Sequence, residues 1–128
     1  MRQVVVVIAC LWSSVVCSHE MLPSHPVLRP SYVAGVLQTQ MHLFNKRRDV
    51  EYYEIGVFDE DFEPVSFVTA YRVIRLQYLE QLKFDVYVLA DDADRAEYIC
   101  SRSKLRGNSA NGAMVASRIC SRFSEVSR

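Results

Sequence analysis

A chain of 128 residues with a formal net charge of zero and a pI near 6.8 has the length of one domain. That balance excludes the basic surplus, often a pI above ~9, that marks most nucleic-acid-binding domains. Half of the residues are apolar, enough for a packed core, and the few glycines and prolines argue against long disordered linkers.

Met1-Arg2-Gln3 gives a short basic start, and Val4 to Val16 follows as a run of thirteen uncharged residues. A bilayer span needs roughly 20 residues, so the run fits the apolar region of a secretory signal peptide, with Val16-Cys17-Ser18 as the small-residue stretch before the cut. Residues 1–18 are therefore expected to leave, with cleavage between Ser18 and His19, or alternatively before Ser18. A buried N-terminal strand and a lipid anchor at Cys10 or Cys17 are the other readings of this stretch. No transmembrane helix is expected in the mature chain, which would be periplasmic or at the cell surface. Cys10 and Cys17 would leave with the signal, and Cys100 and Cys120 would remain as an even pair in an oxidising compartment. Their spacing suits the last two neighbouring strands, bridged within one sheet, with a stabilisation of about 3 kcal/mol. Two buried free thiols are the alternative.

Residues 19–34 contain Pro23, Pro26 and Pro30, which fix φ and remove ladder donors, so an extended arm is expected there rather than a sheet strand. Residues 35–121 then read as strands separated by polar turns. In Val36 to Phe44, Leu37, Thr39, Met41 and Leu43 share one face, and Gln38, Gln40 and His42 the other. Asn45-Lys46-Arg47-Arg48-Asp49 reads as an exposed polar connection. In Val50 to Phe58, Tyr53, Ile55 and Val57 face inward and Glu54 outward, and Gly56 marks a bulge or a close backbone approach. Asp59-Glu60-Asp61-Phe62-Glu63-Pro64 is a turn. Val65 to Thr69 and Tyr71 to Leu79 give two short strands or one bent one, with Leu76 to Gln81 as strand end and loop. Leu82 to Leu89 is the clearest strand, with Leu82, Phe84, Val86 and Val88 on one face. Ala90 to Asp94 is a turn, and Ala96, Tyr98 and Cys100 alternate with Glu97, Ile99 and Ser101. Ser103 to Gly112 is a loop, Ala113 to Cys120 the last strand, and residues 122–128 a frayed tail. About seven strands with frequent turns and no helix predict an all-β fold, an immunoglobulin-like antiparallel β-sandwich.

Little in this pattern carries chemistry. There is no G-x-S-x-G, no glycine-rich phosphate loop and no zinc spacing, so no catalytic residues and no resident cofactor are assigned. The acids at Asp59, Glu60, Asp61 and Glu63, and at Asp91, Asp92 and Asp94, read as solvated turns, without the glycine and terminal glutamate of an EF-hand. Arg72, Arg75, Arg102, Arg106, Arg118 and Arg122 lie on several elements, and an anion-binding face would need several of them together. A mature chain beginning at His19 could bind copper through its terminal amine and imidazole, with His25 or His42 completing the ligand set.

Asn45 closing a strand, then Tyr53-Glu54-Ile55-Gly56-Val57-Phe58-Asp59, Pro64-Val65, Arg72-Val73-Ile74-Arg75-Leu76 and the Phe84 to Val88 strand follow one another in an order that resembles the first immunoglobulin-like domain of periplasmic chaperones that assemble bacterial fimbriae. The resemblance spans residues 41–88. It implies the sandwich fold and an assembly role, while that family's paired arginine and lysine have no assignable counterpart here. The expected function is an exported, non-enzymatic protein-binding or structural accessory of a cell-envelope assembly (pilus, secretion or surface apparatus), with a protein partner and no nucleic acid. Pairing would use an exposed edge strand bearing Met114, Val115, Ala116, Ser117 and Ile119. A small secreted copper-binding protein and a secreted surface or virion structural component are the alternatives.

Overall fold

The long alternating runs all become strands. The computed structural model describes residues 18–105 and 115–124. In chain order they form β1 (Glu20–Leu22), β2 (Arg29–Pro30), β3 (Val36–Phe44), β4 (Tyr52–Phe58), β5 (Val68–Thr69), β6 (Val73–Arg75), β7 (Gln81–Leu89), α1 (Ala90–Ala93), β8 (Tyr98–Ser103) and β9 (Arg118–Arg122). One sheet has the order β1-β3-β7-β5, with β2 also paired to β3, and the other the order β6-β4-β8-β9. All the pairs are antiparallel, and the two sheets make an immunoglobulin-like sandwich.

The core lies where the inward rows of both sheets meet. Met41 and Leu43 of β3 and Phe84, Val86 and Val88 of β7 are buried from one side, and Tyr53, Ile55 and Val57 of β4 and Ile99 of β8 from the other. The β3–β7 register runs unbroken from Val36 opposite Leu89 to Phe44 opposite Gln81. That pairing keeps the apolar row of each strand on the same face. The residues after β4 form two short strands on opposite sheets: β5 joins β7, and β6 returns to β4.

Three expectations are corrected. The proline-bearing arm is not free of the sheet, because Glu20-Met21-Leu22 precedes Pro23 and keeps its donors, pairing with His42 to Phe44. Pro30 sits in a two-residue edge strand, where a missing N–H is tolerated. The arm also delivers Met21 and Leu28 to the core. The turn after β7 closes as one helical turn, Ala90–Ala93, with Ala93 buried. The last strand begins at Arg118 and runs to Arg122, so Arg122 belongs to the sheet rather than to a tail, and Phe123 packs on the core. Residues 1–17, 106–114 and 125–128, including most of the expected signal sequence and Met114, lie outside the described residues.

The acidic turn is a turn. Asp59 Oδ1 accepts the N–H groups of Asp61 and Glu63, both at 2.9 Å, and Phe62 takes the left-handed φ of 60°. Gly56 is a close approach and not a bulge: its register with β8 is continuous, and a Cβ there would lie 2.7 Å from the Phe58 ring.

Candidate functional site

The edge of the second sheet is β9. Its odd-numbered residues face β8: Ser103 N–H donates to the Ser117 carbonyl at 2.9 Å, and Phe123 N–H to the Glu97 carbonyl at 2.9 Å. The intervening residues therefore turn their backbone groups outward. Arg122 N–H is taken by the Ser24 carbonyl at 3.1 Å and Ser124 N–H by the Pro26 carbonyl at 2.9 Å, so the arm covers this end of the edge. Arg118 and Cys120 are exposed, and although β1 lies beside β9 it pairs with β3, so their outward N–H and C=O groups meet no backbone partner among the described residues.

The residues expected on the partner-binding edge are placed unevenly. Val115 and Ala116 are exposed ahead of the strand, Ser117 is half-buried, and Ile119 packs towards the core. The free backbone is at Arg118 and Cys120. Cys120 is bonded to Cys100 directly opposite on β8, with 4.1 Å between Cα atoms. The bridge lies within one sheet, as the spacing predicts.

Behind β9 lies a polar cluster that sequence reasoning missed. Arg47 belongs to the run expected to be an exposed connection, yet it is only 9% exposed. Its Nη2 pairs with Asp49 Oδ2 at 2.5 Å, and its Nη1 donates to the Val115 carbonyl at 2.9 Å and to Ser117 Oγ at 3.3 Å. The Asp49 carboxylate holds the guanidinium charged, and the guanidinium in turn holds the Asp49 pKa below the usual carboxylate range. The cation thereby fastens the segment entering β9 to the β3–β4 connection. A K-R-R run carries no sign that its middle member turns inward. Ser101 and Ser103 do carry one, since both fall on the inward row of β8 with Ile99, and both are buried.

His19 completes the cluster. It is 3% exposed and packs on the Tyr53 ring at 4.6 Å. Its Nε2 lies 2.8 Å from Ser101 Oγ and 3.2 Å from the Ser101 carbonyl, and its Nδ1 lies 3.2 Å from Ser117 Oγ. A carbonyl only accepts, so the tautomer with hydrogen on Nε2 fits, and the Ser117 hydroxyl donates to Nδ1 while its oxygen accepts from Arg47. Burial lowers the His19 pKa most; the Ser101 carbonyl opposes this, and the Arg47 charge adds to it. The neutral ring is the folded form, so the unfolded chain binds its proton first as pH falls. His19 should therefore contribute its full stability above about pH 6.5, the ordinary histidine value. That contribution should shrink as pH falls towards the lowered folded value. Urea midpoints from about pH 7.5 to 5.5 should decline in the wild type and decline less in His19→Gln; equal declines would remove His19 as the source.

Both ring nitrogens of His19 are thus engaged by protein groups. His42 sits on β3 opposite Leu22, and the His25 carbonyl accepts from Ser124 Oγ at 3.3 Å. The three histidines are not brought together, and among the described residues no three His, Cys, Asp or Glu side chains converge as a metal-holding group. Ser18, at the expected cleavage point, has its Oγ 3.5 Å from His19 Nδ1.

No family model matches this chain, and no curated protein matches it. Among solved structures, the crystal structure of a FixG-related protein from Vibrio parahaemolyticus is similar at a TM-score of 0.49 and 19% sequence identity, over 84% of this chain and 96% of that one.

Proposed function

We propose that this chain is an exported, non-enzymatic protein-binding module of a cell-envelope assembly that takes up a partner strand along the free stretch of β9. The observation that carries the reading is the pair of outward, unpaired backbone positions at Arg118 and Cys120, beside an edge whose other end is covered by the arm. An extended partner segment placed there would gain ladder hydrogen bonds, and its alternate side chains would set specificity. The charge pattern and length of the first sixteen residues and the Cys100–Cys120 bridge support export. Among the described residues no helix is long and apolar enough to cross a membrane. The resemblance of residues 41–88 to fimbrial assembly chaperones supports an assembly role.

Arg118→Pro tests the reading directly. It removes an outward N–H and leaves the bonds of Ser117 and Ile119 to β8 in place. The partner co-isolated from the native host should fall at least about tenfold, the consequence of losing one interfacial hydrogen bond and its register, while near-UV circular dichroism stays that of the folded chain. Arg118→Gln keeps the backbone donor and should retain the partner. Unchanged binding in Arg118→Pro, or equal loss in both variants, would sink strand pairing at β9.

A further inference from the structure

The path of the chain between β4 and β6 opens a groove on the second sheet. Val65 N–H bonds to the Val57 carbonyl at 2.9 Å, and Ile55 N–H to the Arg72 carbonyl at 2.8 Å. Between these two contacts the chain leaves β4 to form β5 on the other sheet, so the flank of β4 is uncovered at Gly56. The result is a cavity of about 430 Å³. On that flank the Ile55 carbonyl and the Val57 N–H, the two groups left over from those contacts, meet no hydrogen-bond partner among the described residues. Both residues line the cavity, although their side chains are buried in the core.

Three arginines from distant parts of the chain surround the same cavity: Arg72 before β6, Arg102 on β8 and Arg118 on β9. This is the convergence that sequence could not show. Among the described lining residues only Glu54 is acidic, and it is already shared between Arg102 and Lys104, each at 2.9 Å. Arg72 stacks on the Phe67 ring at 4.8 Å and donates to the Phe67 carbonyl at 3.2 Å. Arg118 lies over the Phe58 ring at 5.7 Å. Neither has a carboxylate partner among the described residues. Stacking holds a guanidinium by its face and leaves its N–H edge free for an oxyanion.

We propose that this groove binds an acidic peptide segment. The segment's backbone would pair with the Ile55 carbonyl and the Val57 N–H, and its carboxylates would meet Arg72 and Arg118. The open backbone pair favours a peptide over a free anion, because an extended peptide carries an N–H donor and a C=O acceptor at ladder spacing and can meet the Ile55 carbonyl and the Val57 N–H together, while its carboxylates suit the arginine fork. The site is separate from the outward edge of β9 and does not rest on the reading of that edge, since the Arg118 side chain lies over this groove while its backbone faces the edge.

Titrating the isotope-labelled full chain with an acetylated, amidated hexaglutamate peptide tests it. The amides of Gly56, Val57, Phe67 and Arg72 should shift, and the shifts should weaken with added salt. Arg72→Gln should weaken binding about tenfold, and Arg72→Gln with Arg118→Gln by more, as expected for losing charge-assisted hydrogen bonds. Both side chains are solvent-exposed, so folding should survive either change. Three results would overturn the proposal: unchanged affinity in the double variant, shifts scattered over Arg29, Arg48 and Arg122 instead, or inorganic phosphate moving the groove amides as far as the peptide does. The last would make this a site for free anions.

Discussion

Replacing Asn45 with alanine is expected to lower folding stability by about 3–5 kcal/mol, the range of a broken buried polar network. Asn45 directly follows β3 and is fully buried. Its Nδ2 donates to the carbonyls of Val50 and Leu76 at 2.8 and 2.9 Å, and its Oδ1 accepts from the Arg47 N–H at 2.8 Å and from the Tyr53 hydroxyl at 2.5 Å. One side chain thus ties the β3–β4 connection to the segment after β6. Alanine would leave two carbonyls, an amide and a phenol buried without it, each costing about 1–3 kcal/mol when unpaired and not strictly additive. Asn45→Asp has nearly the same volume but loses both donors, so it should be about as damaging as alanine. Tyr53→Phe breaks only one of the four bonds and should cost about 1 kcal/mol. Burial pushes the Tyr53 pKa up to about 12, so the phenol remains a donor at neutral pH. Equilibrium unfolding of the full chain in urea checks the series. If Asn45→Asp were as stable as the wild type, the hydrogen bonds would not be the source.

The parts of this fold that sequence could reveal are those set by long two-residue alternation. The expected Val36 to Phe44 matches β3 residue for residue, and the expected Leu82 to Leu89 differs from β7 by one residue at its start. Nine residues of alternation leave only one way to bury Met41 and Leu43 against Phe84 and Val86. β1 and β2 are short and lie among prolines, and it is the edge of β3 that makes strands of them. Such tertiary pairing leaves no local signal. Arg47 was hidden for a related reason: what draws it inward is a set of acceptors near Val115 and Ser117, about seventy positions along the chain. The groove at Gly56 is harder still. Arg102 and Arg118 lie opposite each other on β8 and β9, and the excursion of the chain to the other sheet and back brings Arg72 to the same opening. The glycine itself was a usable signal, because a residue without a side chain in the middle of a strand marks a place where something comes close, here the Phe58 ring.

Removing the Cys100–Cys120 bridge, as Cys100→Ala with Cys120→Ala, should lower stability by about 3 kcal/mol, on the loop-entropy account of a link closing some twenty residues. The loss should also be local. β8 is held by ladders on both sides, to β4 and to β9, whereas β9 has β8 on one side and, on the other, the arm, with backbone bonds to Ser24 and Pro26 and β1 lying beside it without a ladder. Hydrogen exchange should therefore quicken at Ile119 and Ser121, which face β8, more than at Ile55 of β4, whose N–H is held by the Arg72 carbonyl. Reducing the wild-type chain should reproduce both changes. A stability loss below about 1 kcal/mol, or exchange that quickens evenly through both sheets, would show that the bridge adds little to what pairing and packing already hold. The local prediction bears on both proposed sites, because β9 supplies the open backbone at Arg118 and Cys120 and also one wall of the arginine groove. If β9 loosens when the bridge is gone, partner-strand uptake and acidic-peptide binding should weaken together. An oxidising compartment is then a condition for either activity.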